Sequence, residues 1–186
     1  MIMVMVLRIF LFIGFCVTTT CGESYLKITK IVCETHPSFI HNHSCALKPV
    51  NRYKTFILMD CWIKTQLRNS SVNLALYVRN SANIYKPFVI NATINVCQLF
   101  AKSTQGAYGK IIKTIFSRFT NINHSCPFSG HIFVRNAYWD SSLLPALPQN
   151  SYKAVFTFYE GYPLKNYGFV EYFAEYIEKR TKSTLG

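Results

Sequence analysis

The chain has 186 residues, half of them hydrophobic and 16% aromatic, with a formal net charge of +12. That composition buries enough apolar surface to fold and excludes a disordered chain. The length suits one domain rather than two, and the basic residues are scattered singly, without the run or stripe of a nucleic-acid binder.

The first element reads as a cleavable signal peptide. Arg8 is the one charge before residue 20, an apolar run follows at 9–17, small residues fill 18–22, and the first acid is Glu23. Basic start, short apolar middle and small-residue cleavage site come in the order that export requires. A membrane anchor needs ~20 apolar residues, and this run stops at Thr18. Cleavage is expected after Cys21 or Gly22, giving a signal peptide at 1–22 and a single secreted domain at 23–186. Of seven cysteines, cleavage removes Cys16 and Cys21 and leaves Cys33, Cys45, Cys61, Cys97 and Cys126. In an oxidising compartment these allow two disulfides and one odd thiol. No CxxC spacing supports a zinc site, and neither a metal nor a cofactor is expected.

Beyond the leader the dominant pattern is strict alternation, the signature of half-buried strands. Strands are predicted over 25–33 and 53–67, where Thr55, Ile57, Met59, Cys61 and Ile63 share a face opposite Lys54, Asp60 and Lys64. The pattern repeats over 72–78, with Val72, Leu74, Leu76 and Val78 inward, and over 88–96, with Phe88, Ile90, Ala92, Ile94 and Val96 on one side. Residues 106–120 change period. Ile111, Ile112, Ile115, Phe116 and Phe119 recur at three- and four-residue spacing between Lys110, Lys113 and Arg118, which predicts one amphipathic helix with a basic wet face. A shorter helical turn is placed at 97–102. Strands resume at 131–138, 152–159 and 167–176, the last chosen over a helix because of its aromatic and β-branched residues. Seven or so strands with turns between them predict a β-sandwich.

Four N-x-S/T sequons start at Asn42, Asn69, Asn91 and Asn123 and are candidate glycan sites on the surface. Asn91 falls on the wet side of its strand, where a glycan is tolerated. His41-Asn42-His43 invites a metal reading, but it is short and contains a sequon, so a loop is the better account. No HExxH, GxSxG or P-loop is present, and neither Asp60 nor Asp140 stands in a catalytic frame. Cys61 reads as an inward thiol rather than a nucleophile. No catalytic residue is assigned, and an enzyme is not expected.

Several blocks resemble a known family. They are Cys33, then CALKPVNR at 45–52, YKPFVINATINVC at 85–97, NINHSCPFSG at 121–130, and the LP…SY approach at 147–152. Order and content resemble the insect family of domain of unknown function 1091, to which the CheB chemosensory proteins are related. The resemblance covers about residues 25–176. It implies an all-β, immunoglobulin-like antiparallel sandwich of the ML type, with the amphipathic helix inserted between strands. Such domains, the ganglioside activator among them, bind lipid between their sheets. It also matches the family's recurrent cysteines to Cys33, Cys45, Cys97 and Cys126. Of the three pairings open to four cysteines, chain order and the resemblance favour Cys33–Cys45 and Cys97–Cys126, with Cys61 extra.

The function expected is a secreted, non-enzymatic binder of a small hydrophobic or lipid-like molecule, a chemosensory cue included. A membrane surface or a membrane receptor is a further candidate partner, and nucleic acid is not. Parity selects Ile57, Met59, Leu74, Leu76, Phe88, Ile90, Ile132, Val134, Phe156, Phe158 and Tyr172 as the lining of a ligand pocket. The alternative is an extracellular interaction protein with a packed core, acting through surface contacts with a receptor or glycan. A cavity of ~300 Å³ or more favours the first and ordinary core density the second.

Overall fold

A computed structural model describes residues 24–101, 113–114, 116–122, 124–139 and 147–178. Ser24–Ile177 form one compact unit; a second, Met1–Glu23 with Glu178–Gly186, lies outside the described residues except for Glu178. The expected signal peptide therefore lies outside them, as do Ile111, Ile115, Lys110 and the sequon residue Asn123.

Within the described residues the chain forms eight strands and a short helix. In order they are β1 (Ser24–Thr35), β2 (Ile40–Pro49), β3 (Thr55–Leu67), β4 (Ser70–Arg79), β5 (Tyr85–Asn95), α1 (Val96–Ala101), β6 (Phe128–Ala137), β7 (Ser151–Glu160) and β8 (Lys165–Glu178). One sheet has the order β1-β8-β7-β4-β5 and the other β2-β3-β6. The pairs β2/β3, β3/β6, β4/β5, β4/β7 and β7/β8 are antiparallel. The architecture is thus the all-β, two-sheet antiparallel sandwich that the alternation predicts, with α1 inserted between β5 and β6. Residues 113–114 and 116–119 are helical within the predicted helix.

The alternation of β3 behaves as read. Thr55, Ile57, Ile63 and Leu67 are buried, while Trp62, Lys64 and Gln66 are exposed. Two segments differ. The first is the start of β2, expected as a loop at 41–43. A bulge lies between His41 and Ser44, and Asn42 sits at φ +48°. The extra residue switches parity: the inward residue before the bulge is Ile40, and those after it are Cys45 and Leu47. A strict period of two cannot detect such a strand. The second is β5, expected to bury one face. It is an edge strand whose register with β4 slips between Ala75 and Tyr77, with Val89 at φ +48° and 84% exposed. Ile90 and Ala92 are left exposed, and of the expected face Ile94 packs on the core.

The sheets meet in two clusters. Ile40, Ile63 and Leu67 of β2 and β3 join Val72 of β4, Tyr167 of β8, and Val96, Leu99 and Phe100 of α1. A smaller cluster joins Ile28, Ile57 and Ala174, with Met59, Tyr172 and Trp139 against it. Neither sheet can leave its apolar face in water, so the faces close on each other. Disulfides staple the sandwich. Cys33–Cys45 joins the edge strands β1 and β2 across the two sheets, with Cα atoms 6.4 Å apart. Cys97–Cys126 ties α1 to the segment entering β6, with Cα atoms 5.1 Å apart. Cys61 is free.

Candidate functional site

The site begins at the turn where the chain leaves one sheet for the other. β3 ends at Leu67 and β4 starts at Ser70, so Arg68 and Asn69 must carry the backbone across. Their N–H groups both donate to Glu160 Oε1, at 2.8 and 2.9 Å. This carboxylate replaces the ladder partners that a crossover forfeits. Ser70 N–H donates to Cys97 Sγ at 3.1 Å. The same end is closed by α1, whose Cys97 takes that bond and whose preceding Asn95 donates to Asn69 Oδ1 at 2.7 Å. Asn95 Oδ1 accepts from Gln98 N–H at 2.9 Å and caps its N-terminus. Its apolar residues Val96, Leu99 and Phe100 turn inward, and Phe100 meets Phe116 and Phe128 edge-on at 6.1 and 6.3 Å.

Beside this closed end the sheets stand apart and leave a cavity of about 170 Å³ with an almost wholly apolar lining. Leu67, Ile63, Cys61 and Met59 of β3 and Ile132 and Val134 of β6 wall one side. Val72 of β4, Phe158 of β7, and Tyr167 and Val170 of β8 wall the other. Exposed Glu34, His43 and Ser44, beside Cys33–Cys45, mark where the lining reaches solvent. The volume is about half of the ~300 Å³ at which drug-sized pockets begin. It is close to the ~150 Å³ of a dry apolar cavity that admits benzene.

Of the residues selected by parity, Met59, Ile132, Val134 and Phe158 line this cavity. The other seven do not. Ile57 belongs to the smaller cluster, with Tyr172 packed against it. Tyr172 meets Phe156 edge-on at 5.5 Å, Trp139 lies 6.4 Å from both, and Tyr172 O–H donates to Met59 Sδ at 3.3 Å. These rings fill that end of the sandwich. Leu74 and Leu76 lie further along β4, beside Phe156 and Ala154 of β7. Phe88 sits 5.9 Å from the Tyr152 ring, and Ile90 is exposed on the edge strand.

Sequence reasoning missed Ser70 and Tyr167. Ser70 is 2% and Tyr167 7% exposed, and their hydroxyls lie 2.7 Å apart. The Tyr167 ring stacks on Phe158 at 5.8 Å. Burial chiefly pushes its hydroxyl up to about 12, with Glu160 adding to the effect. Burial likewise pushes the Cys61 thiol up to about 11. At neutral pH the cavity therefore presents no charge of its own from these groups, only two hydroxyls and a thiol.

Outside the cavity, Asp60 faces His131 at 2.6 Å and also pairs with Arg135. The Arg135 guanidinium, then His131, hold its carboxyl below the ordinary range. Trp62, 45% exposed, stacks on the His131 ring at 5.1 Å. Among the described residues no group of three or more His, Cys, Asp or Glu comes together as a metal cage would require.

No curated protein matches the chain. Among solved structures, a Niemann-Pick type C2 protein from the Japanese carpenter ant is similar at 13% identity. The match covers 83% of this chain and 95% of that one, with a TM-score of 0.34. The YKPFVINATINVC and NINHSCPFSG blocks both fall inside residues 72–154, and over that stretch the chain matches the family described as "Protein of unknown function (DUF1091)".

Proposed function

We propose that this is a secreted, non-enzymatic protein that encloses a small hydrophobic molecule between its two sheets. The observation that carries the reading is the apolar cavity of about 170 Å³ between faces that are packed solid elsewhere. Its size favours a slender or single-ring ligand over a whole membrane lipid. The two disulfides, with Asn42, Asn69 and Asn91 exposed as sequon residues, suit an extracellular, glycosylated protein. Val72→Phe tests the reading, because Val72 lines the cavity and is 9% exposed. In a hollow site the larger ring is accommodated and binding of an apolar fluorescent probe falls at least tenfold. In a filled core it overpacks, at ~1–3 kcal/mol. A destabilised variant, together with a wild type that binds no apolar probe, refutes the carrier.

That second outcome favours a surface role. The outer face of β3 and β6 supports it, since the stacked Trp62 and His131 continue into Phe133, 5.6 Å from His131, and Arg135, 4.8 Å over Phe133. Aromatic rings beside a guanidinium and a carboxylate suit a receptor or glycan contact.

A further inference from the structure

The cavity has a polar spot at Ser70 and Tyr167, and its hydrogen count is unbalanced. Ser70 and Tyr167 each bring a hydroxyl hydrogen, and the single bond between them uses one. The second has no acceptor among the described residues, although both side chains are more than nine-tenths buried and line the cavity. A buried donor without an acceptor is costly, and a ligand oxygen placed there removes the cost.

The charge nearby restricts what that oxygen belongs to. Glu160 lies on the strand next to β4, paired with Ser70, and its buried Oε2 has no partner among the described residues. Its other oxygen is already engaged by the two crossover amides. Glu34 borders the same cavity at its solvent side, whereas the Asp60 carboxylate is paired with Arg135 and His131 on the outer face. An anionic head group would enter against these carboxylates, with no basic residue among the lining side chains except His43 at the solvent side. A neutral carbonyl, ester or alcohol oxygen meets no such opposition.

Resting on the carrier reading above, we propose that the ligand is a neutral, slender apolar molecule with a single oxygen function, received by the Ser70–Tyr167 hydroxyl pair. Fatty-acid anions are disfavoured.

The test uses the purified full chain, stripped of co-purified lipid, and displacement of an apolar fluorescent probe by octane, octanone, octanol and octanoate. With a donor in place, octanone binds at least as tightly as octane, and octanoate at least tenfold more weakly than octanone. Ser70→Ala with Tyr167→Phe lowers octanone affinity roughly tenfold relative to that of octane, the loss expected for one hydrogen bond to a buried carbonyl. Tyr167→Phe alone, which keeps the ring and its stacking, lowers octanone affinity in the same direction should the double variant not fold. Octanone binding tenfold more weakly than octane to the wild type overturns the proposal while the carrier reading stands. So does octanoate binding the tightest. If none of the four displaces the probe, the carrier reading itself falls.

Discussion

Removing the two disulfides separately should cost different amounts, and the order follows from the structure. Cys33 and Cys45 are 12 residues apart and Cys97 and Cys126 are 29 apart. Loop-closure entropy in the unfolded chain then gives about 3 kcal/mol for the first and about 3.6 kcal/mol for the second. That difference alone is too small to order them. The second bridge has another role, however: Cys97 Sγ accepts the N–H of Ser70, whose residue is 2% exposed. Replacing it leaves a buried donor without a partner, at ~1–3 kcal/mol. The Cys97→Ala, Cys126→Ala variant should therefore lose about 5–6 kcal/mol, and the Cys33→Ala, Cys45→Ala variant about 3 kcal/mol. For a unit of this size the smaller loss lowers Tm by roughly 6–12 °C. Urea unfolding followed by circular dichroism, with thermal melts beside it, measures both. Equal losses, or a larger loss at Cys33–Cys45, would refute the role given to the Ser70 amide and with it the account of the crossover.

Two further outcomes follow. Gly168 is buried where β8 runs against β1, and a Cβ there would stand 2.7 Å from the Glu34 carbonyl oxygen and 3.3 Å from Thr35 Cα. Because backbone must move, Gly168→Ala should cost ~1–3 kcal/mol in the same urea assay, and a neutral result would place the two strands further apart. Stability should also fall at alkaline pH. Burial raises Cys61 from 9.0 to about 11 and Tyr167 from 10.0 to about 12, and moves Tyr172 upward as well. The folded chain thus holds protons that the unfolded chain releases, so the stability from these groups is complete below about pH 9 and is lost as pH rises toward 12. Urea midpoints that stay level or rise between about pH 8 and about pH 11 would contradict this.

Most of the fold was legible because its determinants are local. Period-two alternation identifies β3 and β4, aromatic and β-branched content favours a strand at β8, and β3 buries the face that its odd positions predict. The start of β2 was not legible, since one inserted residue near Asn42 moves its apolar set from even to odd positions. β5 was legible as a strand but not as an edge. Nothing in the residues 88–92 records that its second face has no neighbour, and its exposure follows from its place in the sheet order.

The candidate site was harder to read for a related reason. Parity tells which side of a strand faces inward, and by that rule Leu74, Val72, Phe156 and Phe158 are equivalent. The structure separates them by position along the strands. Phe158 and Val72 lie near the crossover, where α1 and the turn at Asn69 end the contact between the sheets. Leu74 and Phe156 pair further along, toward the end filled by the rings of Tyr172 and Trp139. A cavity is a mismatch between two surfaces, each of which is apolar and regular by itself, so no single segment encodes it. The same holds for its polar spot. Ser70 and Tyr167 are 97 residues apart. In sequence Ser70 is the middle residue of the sequon at Asn69 and Tyr167 is one of twelve tyrosines, and neither signal points to a ligand. They become a site because the β3–β4 crossover brings the first residue of β4 under the third residue of β8, where both are buried. There the hydroxyl pair has a hydrogen to spare without an acceptor among the described residues, which is the basis of the ligand proposed above.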